Sequence, residues 1–512
     1  MKTSRRQFLK LTAAGAASAS LFTCWQGPLH TNFPVHLDDT LLRAHKLFEG
    51  GVIPSEEGVI RKEVLVVGGG IAGLAAANML RDRDIVVCEV GDRLGGSSSS
   101  MQDESGLSFA QGAHYELPYP ENYGKDALSF LEQKGVISYQ PKNALWEFTD
   151  KQYLIEEFNE SRTWTGSGWR DDPIPNTEAG MLFNRLLDDF HDKMPLPTRL
   201  IKEAYRPYNQ ISFAEWLRSM NLGDAELRTG VDYQLRDDYG AGADVVSALA
   251  GIHYYQCRPY TRKKMLHFSP PQGNGYFVEK LAAGLPESGL LSNHLVCSME
   301  KLGAGGFMVK VLDLEAMHFK RFQVDGVVYA GQKHALKYCF PADAHLFAAN
   351  RYAPWMTVAL VLEGYRGETW WQNEVVGPGN QFLGFVNSAA QYGAGSTTVL
   401  TCYFCLDEKD RPALVKAGEP GSPWMEQALT MVNGALDARV DKHVIRAHVK
   451  LHGHAMPIPV PGYLFGDANE RRSQPRLVYA GVDNGRLPLF FEALDSGLLA
   501  GQQLNDALNN RG

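Results

Sequence analysis

Cysteine is scarce, seven in 512 residues, which argues against a fold held together by a disulfide lattice. Long apolar runs are also missing. The N-terminal stretch Leu11 to Phe22 falls short of the roughly 20 apolar residues that span a bilayer, which argues against a membrane anchor there. No block of like charge accompanies the formal net charge of −8, so the chain lacks the basic footprint that nucleic acid or an acidic membrane surface would need. Internal repeats and low-complexity tracts are absent as well. What is present is 44% hydrophobic sequence over a length that one compact core does not normally absorb. Two domains, sequential or intertwined, are expected.

Two cysteine features stay unremarkable. Cys402 and Cys405 form a C-x-x-C, but within the β-rich "TTVLTCYFCL" residues three apart face opposite sides of a strand, so a buried strand is expected rather than a redox pair. Thr23 is a poor predecessor for a lipidated Cys24. Ser4-Arg5-Arg6-Gln7-Phe8-Leu9-Lys10, followed by a weak Ala/Leu run, resembles a twin-arginine export signal. That resemblance implies a signal over residues 1–30, the twin-arginine export machinery as a partner, a periplasmic or otherwise exported location, and a cargo folded around a cofactor before export.

From Glu63 the pattern reads strand (Glu63 to Val67), glycine turn, helix (Ile71 to Arg81) and strand (Ile85 to Glu89). Gly68-x-Gly70-x-x-Gly73 fits the dinucleotide fingerprint in its required context. The first glycine permits the turn, the second lets a pyrophosphate approach, and the third lets helix and strand pack, while the first-turn amides, Ala72 included, face the negative charge. Glu89, ending the second strand, can accept hydrogen bonds from a ribose diol. Strand-rich blocks at Asn293 to Gly331 and Pro475 to Gly481 end in glycines in the same way, which suggests one sheet assembled from separated pieces.

Arg93-Leu94-Gly95-Gly96 follows Glu89, and this E-x(3)-R-x-G-G arrangement resembles the flavin amine oxidase, protoporphyrinogen oxidase and phytoene desaturase superfamily. The resemblance implies FAD as cofactor. Arg93 would place a cationic fork near the pyrophosphate, and Gly95 and Gly96 would let the chain pass close to it. "PQGNGYFVEKLAAGL" followed by "HLVCSMEKL" is similar to the family's adenine-side segment, with Val296 meeting adenine through its backbone. "RLVYAGVDNGRLPLFFEALDSGLLAG" is similar to the segment closing over the flavin ring. Asp483 would lie near the ribityl or pyrophosphate, and the amides near Phe491, Glu492 and Ala493 would face N1 and O2, where a helix N-terminus favours the anionic reduced ring. The implied fold is α/β: a Rossmann-like FAD-binding domain assembled from discontinuous segments (61–115, 265–335 and 470–512), with an inserted mixed α+β substrate domain (116–264 and 336–469).

Chemistry in such a site rests on position and dryness, so catalytic candidates are aromatic or uncharged polar residues. "FAQGAHYELPYP" makes Ala113, His114 and Tyr115 candidates to face the flavin. His253, Tyr254 and Tyr255 could wall a substrate cavity or fill a core. Strand alternation from Ile445 puts Arg446, His448, Lys450, His452 and His454 on one face, a cationic row without an obvious carboxylate and so a poor metal site. His454, leading into a Pro-rich stretch, is expected to border the active site, and Trp370 and Trp371 to line its mouth or fill core. Two positions depart from the family pattern. Thr357 or a neighbouring apolar residue falls where many amine oxidases carry a lysine, which shifts weight from oxygen towards a quinone or cytochrome electron acceptor, and Ser97 replaces an arginine that often follows the double glycine. The leading expectation is oxidation of a small-molecule amine by hydride transfer to flavin N5. The alternatives are a desaturase of a hydrophobic polyene or isoprenoid, and a flavin-binding electron-transfer or assembly protein without turnover.

Overall fold

A computed structural model describes residues 29–38, 55–156, 160–257, 266–303, 305–368, 370–392, 396–417, 422–465 and 474–510. Its first sheet is built around Ser55–Val67, which runs parallel to Ile85–Cys88 on one side and His318–Tyr329 on the other. Leu290–Leu291 closes the first edge, Phe307–Asp313 and His294–Lys301 extend the second in antiparallel fashion, and Leu477–Tyr479 adds to the end of His318–Tyr329. Val64, Leu65 and Val66 are fully buried, as expected where helices cover a largely parallel core. Chain segments hundreds of residues apart thus share one sheet. The central strand starts at Ser55 rather than Glu63, because pairing with His318 to Val324 carries its polar first half.

Helices Ile71–Met79 and Phe490–Asn509 pack together on this sheet, with Gly275–Ala282 beside them. The first two approach through glycine: a Cβ on Gly497 would lie 2.2 Å from the Ala72 carbonyl oxygen. No side chain larger than hydrogen fits there.

The second sheet has eight strands in the order Val35–Asp38, Val444–Pro457, Tyr352–Glu363, Thr397–Cys405, Phe382–Asn387, Gln372–Val375, Ser161–Trp164 and Trp169–Arg170. Helices Ala225–Tyr239 and Ala248–Gln256 join the apolar cluster on one face, with Phe213 and Trp216, while Pro423–Leu436 packs into the cluster on the other with Phe382 and Phe404. Cys405 belongs to the first cluster and Cys402 to the second, the opposite facing expected of a buried strand. Burial pushes the Cys405 thiol up to about 12. Near the N-terminal end of the described residues, Val35–Asp38 pairs parallel with Val444–Pro457. The export-signal motif and Cys24 lie outside the described residues. Among the described residues no helix is long and apolar enough to cross a membrane.

Candidate cofactor and substrate site

The three fingerprint glycines meet three different demands. Gly68 has φ +94° and a Cβ there would press on Ala330 at 3.1 Å, while one on Gly73 would fall 1.9 Å from the Gly68 carbonyl oxygen. These two are required by the protein's own packing. Gly70 is not: its backbone (φ −75°, ψ −177°) suits any residue, and the nearest atom to an added Cβ is the Gly95 oxygen at 3.8 Å. The space in front of Gly70 is therefore open. It faces the start of Ile71–Met79, which has no side-chain cap and no acidic residue in its first turn, leaving the first-turn amides, Ala72 among them, for an anion.

The second glycine pair forms the opposite wall. Gly95 (φ +122°) and Gly96 (φ +55°) take left-handed conformations, and the Gly95 amide donates to the Gly69 carbonyl at 2.9 Å. Glu89 accepts from the amides of Gly69 at 2.8 Å and Gly91 at 2.7 Å. Burial pushes its carboxyl up, against the pull of those amides. A carboxylate has four lone-pair positions, so acceptor capacity remains for a diol. Next to it, the His294 amide donates to the Glu89 carbonyl at 2.8 Å, and Val296 precedes a β-bulge on an edge strand, an arrangement that leaves main-chain groups without ladder partners. Arg93 lies close by, but its guanidinium is held by Asp92 at 2.6 and 2.9 Å and by the Ser100 carbonyl at 3.1 Å.

At the other end, Phe490–Asn509 begins without a side-chain cap. The Ala493 amide already donates to Leu489 O, so the amides open to a ligand are those of Phe490, Phe491 and Glu492. The Phe491 ring packs against Tyr119 and Tyr123, and the Glu492 carboxylate, fully buried, accepts from the Thr198 amide at 2.8 Å and Arg486 at 3.1 Å. Asp483 is held by the chain itself: Lys333 Nζ lies 2.9 Å from one oxygen, and the Lys333 amide and Tyr352 hydroxyl donate to the other at 2.7 and 3.1 Å. His454 stacks on His334 at 3.6 Å and meets the edge of Tyr352, which brings it beside this clasp.

His114 and Tyr115 stand in an aromatic enclosure. His114 lies 5.0 Å from Tyr403 and 5.6 Å from Trp371, Tyr115 lies 4.8 Å from His267, and His267 pairs with the buried carboxylate of Glu160. A small cavity is lined by the apolar Phe109, Ala110, Pro271 and Val386 and by the polar His114, Ser388, Gln391, Thr401 and Tyr403. The Tyr403 hydroxyl is buried without a hydrogen-bond partner, a polar position open to a ligand. Burial and the nearby His267 push the His114 imidazole down to about 3, so it is neutral at ordinary pH. Trp371 is fully buried, with its indole N–H on Ser269, while Trp370 lies under Arg162. Tyr254 and Tyr255 pack instead on each other, Tyr239 and Phe183, and His253 on the Pro195 carbonyl. Their described contacts are those of a helical core.

Sheet register adds residues that no motif marked. Directly paired positions share a face, and the pairings Asp38–Lys450–Thr357–Tyr403–Gly384–Glu374–Thr163 form a row across seven strands. At a strand spacing of about 4.8 Å, Glu374 and Lys450 each lie roughly 10 Å from Tyr403, on opposite sides. Thr163 donates to Glu374 at 2.6 Å, and burial together with Asp172 and Asp237 pushes the Glu374 carboxyl up to about 8. The cationic row on Val444–Pro457 does meet carboxylates, contrary to expectation: Arg446 and His448 bind the buried Asp103, and Lys450 pairs with Asp38 at 3.2 Å.

Because its native value is raised from the ordinary 4.5, Glu374 favours the folded state fully below about pH 4.5, and that contribution is lost as pH rises through about 8. Glu374→Gln is therefore expected to flatten the fall in urea midpoint between pH 5 and 8.5. A parallel fall in variant and parent would remove Glu374 as its source.

Residues 66–133 match the NAD(P)-binding Rossmann-like domain family. Over 246 residues, 45% of this chain, the sequence is 22% identical to a corticosteroid-binding protein of Candida albicans, and the match covers 44% of that protein's length. Among solved structures, a putrescine oxidase double mutant redesigned for cofactor binding superposes with a TM-score of 0.63 at 15% identity, over 88% of this chain and 100% of that one. Cyclohexylamine oxidase from Brevibacterium oxydans IH-35A gives a TM-score of 0.59 at 16% identity with the same coverage. The chain has their fold: a Rossmann-like domain assembled from separated segments and an inserted mixed domain.

Proposed function

We propose that this protein is an FAD-dependent oxidoreductase acting on an amine. The observation that carries the cofactor is the open space at Gly70, bounded by an uncapped helix N-terminus, by Gly95–Gly96 and by Glu89. FAD fits this donor set: amides for a diphosphate, a carboxylate for the ribose, and a second helix start at Phe490 for the far end. A flavin held there supplies the hydride acceptor.

The chain's own residues account for the rest. The neutral His114, with Tyr115, Trp371 and Tyr403, walls a dry site in which an uncharged amine is favoured over its ammonium form. Glu374, about 10 Å further along the sheet, offers a carboxyl that attracts a cation once ionised. A titratable carboxyl in that position favours an amine over a polyene or isoprenoid, for which an unbroken apolar tunnel would be expected. The solved putrescine oxidase and cyclohexylamine oxidase, named for amines, support the same reading.

Export through a twin-arginine route, resting on Ser4 to Lys10, and delivery of electrons to oxygen or to a respiratory acceptor, with Thr357 shifting weight towards a quinone or cytochrome, complete the proposal. Anaerobic titration of purified holoprotein with a panel of amines and isoprenoids, followed at the flavin absorbance, tests the central claim. Bleaching by amines alone is expected. Bleaching by isoprenoids alone would transfer the site to the rival chemistry, and bleaching by neither would leave an electron-transfer or assembly role.

A further inference from the structure

The loop that follows Gly95–Gly96 is held from behind by the substrate sheet. Lys450 Nζ donates to Ser99 Oγ at 2.8 Å and to Gln111 Oε1 at 3.4 Å, and His452 Nε2 lies 2.9 Å from the Gln111 carbonyl. Arg446 and His448 grip Asp103 in the same loop. Within the loop the Gln111 amide donates to Ser99 O and the Ala113 amide to Ser97 O, both at 3.0 Å, and the Ser98 amide returns to Gly95 O at 2.9 Å. A shift of Ser99 therefore moves the wall opposite Gly70.

The cationic row is itself covered on its outer edge by Val35–Asp38. Asp38 is the carboxylate facing Lys450, at 3.2 Å, with both side chains about one-tenth exposed (11% and 12%). His36 stacks on His448 at 5.0 Å and 21°. Without Asp38, Lys450 would hold a largely buried charge with two neutral acceptors as its hydrogen-bond partners and the carboxylates of Glu89 and Asp92 acting on it only through space, a state that drives an ammonium towards water. We propose that Val35–Asp38 is a strap that positions the cofactor loop, with Asp38 acting through Lys450 and Ser99 to set the affinity for FAD. This rests on the FAD reading above.

The experiment titrates FAD into apoprotein of the parent, Asp38→Asn, Asp38→Glu, Lys450→Met and the Asp38→Asn/Lys450→Met double variant, and follows amide exchange across residues 97–113. Asp38→Asn is expected to weaken FAD at least ~10-fold, with Asp38→Glu recovering most of the loss and the double variant no weaker than Lys450→Met alone. Faster exchange across 97–113 in Asp38→Asn apoprotein is expected as well, a readout that needs no flavin. Affinity within about twofold of the parent, or losses that simply add in the double variant, would overturn the strap. A parent that takes up no FAD would sink the functional reading, and unchanged exchange across 97–113 in Asp38→Asn would then sink the strap separately. If Asp38→Asn does not fold, His36→Ala, which removes the stack on His448, takes its place with the same two readouts.

Discussion

Gly70→Ala is expected to fold with stability within about 1 kcal/mol of the parent, the ordinary cost of alanine at a helix N-cap, and yet to bind FAD at least ~100-fold more weakly. The two halves of this prediction have separate causes. The backbone at Gly70 is one that alanine adopts freely, and an added methyl would be 3.8 Å from its nearest protein neighbour, ordinary van der Waals contact. Only a ligand seated against that amide would object. Gly73→Ala provides the contrast, because its methyl would collide with the Gly68 carbonyl at 1.9 Å and force helix from strand whether or not a ligand is present. It should lower the apoprotein melting temperature; Gly70→Ala should not. Flavin titration and melts with and without FAD separate the cases. Undiminished binding in Gly70→Ala would mean that no diphosphate lies over this turn.

The second large effect is expected at Lys333. Its ammonium is fully buried and reaches Asp483, the Gly331 carbonyl and the Ala480 carbonyl, tying the ends of the parallel strands His318–Tyr329 and Leu477–Tyr479 together. Lys333→Met removes the positive partner and leaves a buried carboxylate with only an amide and the Tyr352 hydroxyl, which should cost about 3–5 kcal/mol. Adding Asp483→Asn should return a good part of that loss, since the uncompensated charge is then gone. Urea unfolding of the single and double variants measures both numbers. A single variant as stable as the parent would show that the clasp contributes little to the fold.

Much of the cofactor half was readable in advance because its signals are local. Four apolar residues, a glycine turn, a helix and an acid at the end of the next strand lie within thirty positions, and each glycine has a reason that can be stated from backbone geometry. The alternation from Ile445 was equally readable, since the period of two belongs to one strand. Its meaning was not. The carboxylates that answer Arg446, His448 and Lys450 come from Asp103 and Asp38, more than 340 residues away in the chain. Arg93 and Asp483 show the limit in reverse: the motif supplies a charged group, but Asp92 and Lys333 already engage it.

The cavity belonged to the tertiary structure almost entirely. His114 and Tyr115 could be nominated from the segment they sit in, but Tyr403, His267, Glu160 and Glu374 carry no motif, and Tyr254 and Tyr255 turned out to pack within a helical core. By itself the sequence determined the Rossmann-like turn and its strand–helix–strand setting, because those depend on steric freedom at single residues and on short-range periodicity. Which side chains face one another across the second sheet was decided only by strand order and register, since pairing energies between segments hundreds of residues apart leave no trace in local spacing.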